Sequence, residues 1–172
     1  MTRGRSWLLV PLLPFAAACG GGDSPDDAAL ARPEQAEQAG AVRAEVDPCA
    51  LVTSAEAEQV LGAPPEAERP AEANNEYLAT CRYVAPRGDG LAVLAVMVSR
   101  QNGRYGFDNA RRMEEEGIRI EPVSGIGDEA FWVGDPLHTL YVLQDTTYVS
   151  IGGDVELEQA RPLAVRSVER LR

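Results

Sequence analysis

Three cysteines, one histidine and one glycine-rich run are the residues of this chain whose types could carry redox, metal or acid–base chemistry. Cys49 and Cys81 are 32 positions apart, with no CxxC partner and no histidine close in sequence, so neither catalytic nor metal-ligand spacing is present. Joined to each other, they would staple the first helix of a domain to its first strand. His138 stands alone as a candidate general base or metal ligand. Serine-hydrolase chemistry would need a nucleophile elbow to pair with it, and no G-x-S-x-G occurs. Gly125-Ile126-Gly127-Asp128 could cradle a phosphate, but a dinucleotide fingerprint needs a third glycine and an immediate helix. A strand pattern follows instead, so the run reads as a turn with a glycine at positive φ and Asp128 bonded to local backbone. The carboxylates are many, and none has the spacing of a metal loop. No cofactor and no metal are expected.

Two further features suit contact rather than catalysis. Phe131 and Trp132 are neighbours on a strand pattern and must point to opposite faces of a sheet. If helices cover one face, one ring is left for an aromatic contact surface. Arg82 follows Cys81 on another strand, so it points away from the side that Cys81 faces. There it could bind a carboxylate or phosphate, or pair with a neighbouring acid. Arg82, Phe131, Trp132 and His138 are therefore the candidate binding residues.

Composition narrows the partners. The 172 residues carry 27 acids against 16 basic residues, a net charge of −11, and every basic residue is Arg. That balance excludes nucleic acid bound by phosphate neutralisation and an anionic leaflet bound by a basic patch. The apolar fraction of 45% is too high for a wholly disordered chain.

The N-terminus reads as an address. Arg3 and Arg5 precede an apolar run over residues 7–18, and Cys19 follows. The run is too short for a membrane span, which needs about 20 apolar residues, and it holds Pro11 and Pro14. Ala16-Ala17-Ala18-Cys19 resembles the lipobox of bacterial lipoprotein signals, with Ala where that motif usually has Leu. The resemblance implies cleavage before Cys19 and a diacylglycerol on its sulfur. Ala16-x-Ala18 is also an ordinary signal-peptidase site, which would release a soluble protein with a free thiol. Export implies an oxidising compartment. A lipidated Cys19 leaves Cys49 and Cys81 as the pair for a disulfide. Cleavage after residue 18 removes two Arg and no acid, so the mature charge is −13.

Residues 20–46 are rich in Gly, Ala, Pro, Asp, Glu and Gln and lack aromatics. Such a segment buries too little apolar surface to offset its ordering entropy. Residues 19–46 thus read as a lipidated, flexible acidic tether, which as a coil reaches roughly 25–30 Å. Residues 47–172 read as one domain.

The elements that must position the candidates follow from periodicity. Thr53-Ser54-Ala55-Glu56 is a capping box, and the helix it opens ends at Gly62. Residues 63–75 read as a polar loop. Tyr77–Val84 and Leu91–Ser99 are strands, the second apolar on both sides and so covered at least in part on both faces. Residues 105–116 are a helix with Phe107, Ala110 and Met113 on one face. Arg111 and Arg112 are spaced to offset Glu115 and Glu116, and Gly117 ends the helix. Strands follow at Ile118–Val123, Ala130–Val133, Thr139–Leu143 and Thr147–Ile151. The last helix spans Glu156–Leu171, with Pro162 either kinking it or marking a later start. The order predicts an α+β fold, a largely antiparallel sheet packed with about three helices.

Asp47-Pro48-Cys49, Cys81-Arg82-Tyr83, the run Val123 to Trp132 containing GIGDEAFW, and the terminal Val168-Glu169-Arg170-Leu171 together resemble a family of actinobacterial-type lipoprotein domains of unknown function. The resemblance covers nearly the whole domain. It implies a single α+β domain similar to the PsbP-like fold, and it supplies no activity. The resulting expectation is a non-catalytic envelope lipoprotein, held at the membrane by Cys19 and presenting a disulfide-bonded domain to an envelope protein or small ligand. A carrier of a small apolar ligand and an envelope hydrolase are the alternatives.

Overall fold

The structure, a computed structural model, describes residues 46–75, 77–99 and 102–172. The expected signal, Cys19 and the expected tether up to residue 45 lie outside the described residues. Val46 already packs against the core.

Two short helices open the domain where one was expected. Asp47 caps the first, α1 (Pro48–Leu51), by accepting from the Cys49 amide at 3.0 Å. Thr53 is extended and starts the second, α2 (Ser54–Leu61). Its hydroxyl accepts from the Glu56 amide at 3.3 Å, and the Glu56 carboxylate accepts from the Thr53 amide at 2.8 Å. This is the capping box read from the sequence. Gly62, at φ 81°, ends α2.

Among the described residues, seven strands form one antiparallel sheet: β1 (Glu66–Glu68), β2 (Leu78–Arg87), β3 (Gly90–Ser99), β4 (Glu121–Pro122), β5 (Glu129–Val133), β6 (Thr139–Gln144) and β7 (Thr147–Gly153). Their order is β1-β2-β3-β7-β6-β5-β4. Helix α3 (Gly103–Arg111) connects the β2–β3 hairpin to the rest, and α4 (Leu157–Arg170) closes the chain. The architecture is α+β, as the element order predicted. Strand β1 lies inside the stretch read as loop, because three alternating residues beside β2 suffice to pair. The strand expected at Ile118–Val123 shrinks to two residues, one of them Pro122, which has no amide for a ladder.

Helices α1, α2 and α4 cover one face of the sheet. Cys81, Tyr83, Leu94, Val96, Val98, Leu140, Val142 and Ile151 are buried beneath them. Helix α3 covers part of the other face, where Phe107 packs with Phe131, Val133, Leu143 and Tyr148. The sheet therefore alternates between two unequal cores. On β3, Ala92, Leu94, Val96 and Val98 are buried, while Val93, Ala95 and Met97 on the α3 side are half-buried.

Helix α3 passes into a 3-10 turn at Arg112–Glu114, and Gly117 stands at φ 88°. Arg111 does not offset Glu115; it reaches Glu129 at 3.1 Å, which also accepts from Arg104 at 2.6 Å. Helix α4 begins at Leu157 and runs unbroken through Pro162. Pro162 is on the exposed side, where water can replace the amide bond that proline removes. Ala160, Leu163, Ala164 and Val168 form its buried stripe.

Candidate functional site

Cys49 and Cys81 form a disulfide that joins α1 to β2. Cys81 is completely buried. Two positions along β2, the Tyr83 hydroxyl donates to the carbonyls of Cys49 and Val52, at the end of α1. Burial pushes the Tyr83 phenol up and keeps it protonated. These groups hold the first helices on the sheet.

Arg82 lies on the opposite face, directly across from Glu68 of β1. Its Nε and Nη2 both donate to Glu68 Oε2, at 3.0 and 2.6 Å. The guanidinium is thus engaged by a neighbouring acid. Both side chains are partly exposed, so the pair contributes at most about 1 kcal/mol.

Phe131 and Trp132 point to opposite faces, as strand geometry requires, but neither forms an exposed contact surface. They are 2% and 5% exposed. Phe131 meets Phe107 edge-on at 5.1 Å and stacks on Tyr141 at 4.7 Å. Trp132 lies in the larger core and meets the His138 ring nearly perpendicularly, 6.2 Å between centroids. The expectation of an open aromatic face is corrected by α3, which crosses the face left bare in a one-sided arrangement. Tyr141 stacks in turn near Tyr148, and burial raises the pKa of both.

His138 remains accessible, at 34% side-chain exposure. It follows the β5–β6 turn, where the Asp135–Pro136 peptide is cis and Gly134 carbonyl accepts from both the Leu137 and His138 amides at 2.8 Å. His138 lines a cleft of about 320 Å³ with Arg87, Asp154, Glu156 and Gln159. The cleft sits where β7 hands over to α4, at the sheet end that also carries the β2–β3 turn. Asp154 Oδ2 accepts from the Val93 amide at 2.8 Å, and its Oδ1 is 3.8 Å from Arg87 Nη1. Glu156 Oε1 stands 3.6 Å from His138 Nδ1, beyond hydrogen-bond length. Polar groups of both signs therefore line the cleft and keep donor and acceptor capacity. Leu91, 68% exposed, and Leu137 lie at the same end. Of these residues only His138 was singled out from sequence. Arg87 and Asp154 are 67 positions apart, and only the β3–β7 pairing brings them together.

A second cleft of about 230 Å³ is lined by Phe107, Ile120, Phe131, Arg111 and Glu129, among others. It is smaller than the roughly 300–1,000 Å³ usual for pockets that enclose a small ligand.

The GIGD run is a turn, as expected, with Gly125 at φ 81° and Gly127 at φ 58°. Asp128 differs from expectation: it bonds a distant backbone. Its carboxylate accepts from the Asp145 amide at 2.6 Å, in the β6–β7 turn. A Cβ on Gly127 would lie 2.5 Å from the Leu143 carbonyl oxygen, whereas one on Gly125 would meet open space. Gly127→Ala is therefore expected to destabilise the domain by about 2 kcal/mol or more, and Gly125→Ala by about half as much. Denaturant midpoints of the two variants check this; equal midpoints would contradict the close approach.

Among the described residues, no group of three or more His, Cys, Asp or Glu is placed to hold a metal ion, and no helix is long and apolar enough to cross a membrane. The chain matches no known protein family, no curated protein and no solved structure.

Proposed function

We propose that this chain is a cell-envelope lipoprotein, anchored through Cys19, whose domain works by binding. The domain presents the charged cleft of Arg87, His138, Asp154 and Glu156 to an envelope protein or small ligand. The observation that carries the reading is the composition of that sheet end. Charges of both signs line an accessible cleft beside the exposed Leu91 and Leu137. Such a mixture of polar specificity and apolar contact is what a recognition surface needs. His138 Nδ1 and Glu156 Oε1 lie 3.6 Å apart in the cleft wall, and Glu156 also caps the start of α4, so the cleft offers a ligand a positioned carboxylate beside an accessible imidazole. The Cys49–Cys81 bridge fits an oxidising, extracytoplasmic compartment. The acidic mature chain would not adhere to an anionic surface by charge, so attachment falls to the lipid.

Two measurements test the reading. Cys19→Ala should move the protein from the membrane fraction to the soluble fraction; retention of the variant on membranes would sink the anchor. Crosslinking from a photoreactive residue at Leu137, followed by mass spectrometry, should capture a partner that Arg87→Ala with His138→Ala loses. Capture unaffected by that double change would move the binding surface elsewhere.

A further inference from the structure

Bonds from three distant parts of the domain converge on residues 47–56, the first stretch inside the fold. Cys49 is joined to Cys81 near the middle of β2. Tyr83, also on β2, donates to the Cys49 and Val52 carbonyls. Arg69, just past β1, pairs with Asp47 at 2.7 Å. From α4, Ser167 Oγ and Arg170 Nη1 donate to the Leu51 carbonyl at 3.1 and 2.6 Å. Arg170 also holds both oxygens of Glu56 at 2.7 Å, beside Arg166. Several of these donors satisfy carbonyls that a four-residue helix leaves unpaired. That local need explains the hydrogen bonds but not the covalent bridge, nor its position two residues after the helix cap.

The position has a mechanical consequence. Tension on the chain that precedes Val46 reaches Cys49 within three residues. There it crosses a covalent bond into β2, which is paired to β1 on one side and to β3 on the other. Residues 50–80, with α2 and β1, are outside that path. We propose that residues 47–56 form a strain-relief clamp: pull from the membrane anchor passes directly to β2, a strand paired on both sides, and does not peel the first helices. The proposal rests on the anchor reading, because only an anchored chain is pulled from this end.

Force spectroscopy on the exported Cys19→Ala chain tests the clamp without the lipid, so its outcome is separate from that of membrane fractionation. Handles would be placed at the N-terminus and at the exposed β2–β3 turn through Asp89→azidophenylalanine. The oxidised chain should rupture in one event, with no smaller step before it. After reduction by a dithiol, which converts the disulfide to two thiols, an added early step at lower force should release residues up to the start of β2. A trace unchanged by reduction would overturn the clamp, as would an early step in the oxidised chain. A reduced chain with no folded state at zero force would show that the bridge holds the whole fold rather than its junction, and would also overturn it.

Discussion

Acidification from pH 5 to pH 2 should weaken this domain by about 2–3 kcal/mol through one side chain, Glu56. Its carboxylate is 12% exposed and lies among Thr53, Arg166 and Arg170. The hydrogen-bonded Arg170 guanidinium holds its pKa down at about 2, against a desolvation that alone would raise it. In the unfolded chain the group titrates near its ordinary value of 4.5. A depressed folded pKa means that the stabilisation is complete above about 4.5 and is lost as pH falls toward 2. Glu56→Gln should therefore lower stability at neutral pH by a similar amount and flatten the acid limb of the profile. Urea unfolding of both proteins across pH 2–7 measures this. Parallel profiles would mean that the carboxylate is not held by the arginines. Glu56→Ala should cost more, about 3 kcal/mol or above, since it also removes half of the capping box and leaves two guanidinium groups without their shared acid.

Removal of the Cys49–Cys81 bridge should have an effect at least as large. The bridge closes a loop of 32 positions, for which the chain-entropy account gives about 3–4 kcal/mol. For a domain of this size that corresponds to a fall in Tm of about 10–15 °C. Cys49→Ser combined with Cys81→Ser should show it, and so should reduction of the native chain. Cys81 is fully buried, so a serine there adds the burden of a buried hydroxyl, and Cys81→Ala separates that burden from the loss of the bridge. A Tm unchanged by reduction would mean that the hydrogen bonds from Tyr83, Ser167 and Arg170 hold α1 unaided.

Local chemistry was legible at several points for physical reasons. The Thr53–Glu56 box and Gly62 are satisfied within one turn of chain, so neighbouring residues determine them. The opposite pointing of Phe131 and Trp132 follows from strand geometry alone. The extent of covering was not legible. Helix α3 could lie on either face according to its own periodicity, and its arrival over Phe131 depends on the chain path after β3. The same holds for Arg111, whose spacing points to Glu115 but whose partner is Glu129 on β5.

The cleft shows the limit most clearly. His138 stood out because it is the only histidine, but nothing in the spacing of Arg87, Asp154 and Glu156 marked them as its neighbours. They meet because β3 pairs with β7 and because α4 starts where β7 ends.

The sequence alone determined the class of fold, the caps of α2, the turns at glycine and the alternation of buried residues. Each of these depends on contacts within a few residues or on a period of two or 3.6. Tertiary structure decided which faces are covered, which acid each arginine meets and which residues share the cleft. Those depend on strand order and helix placement, which bring together residues far apart in the chain.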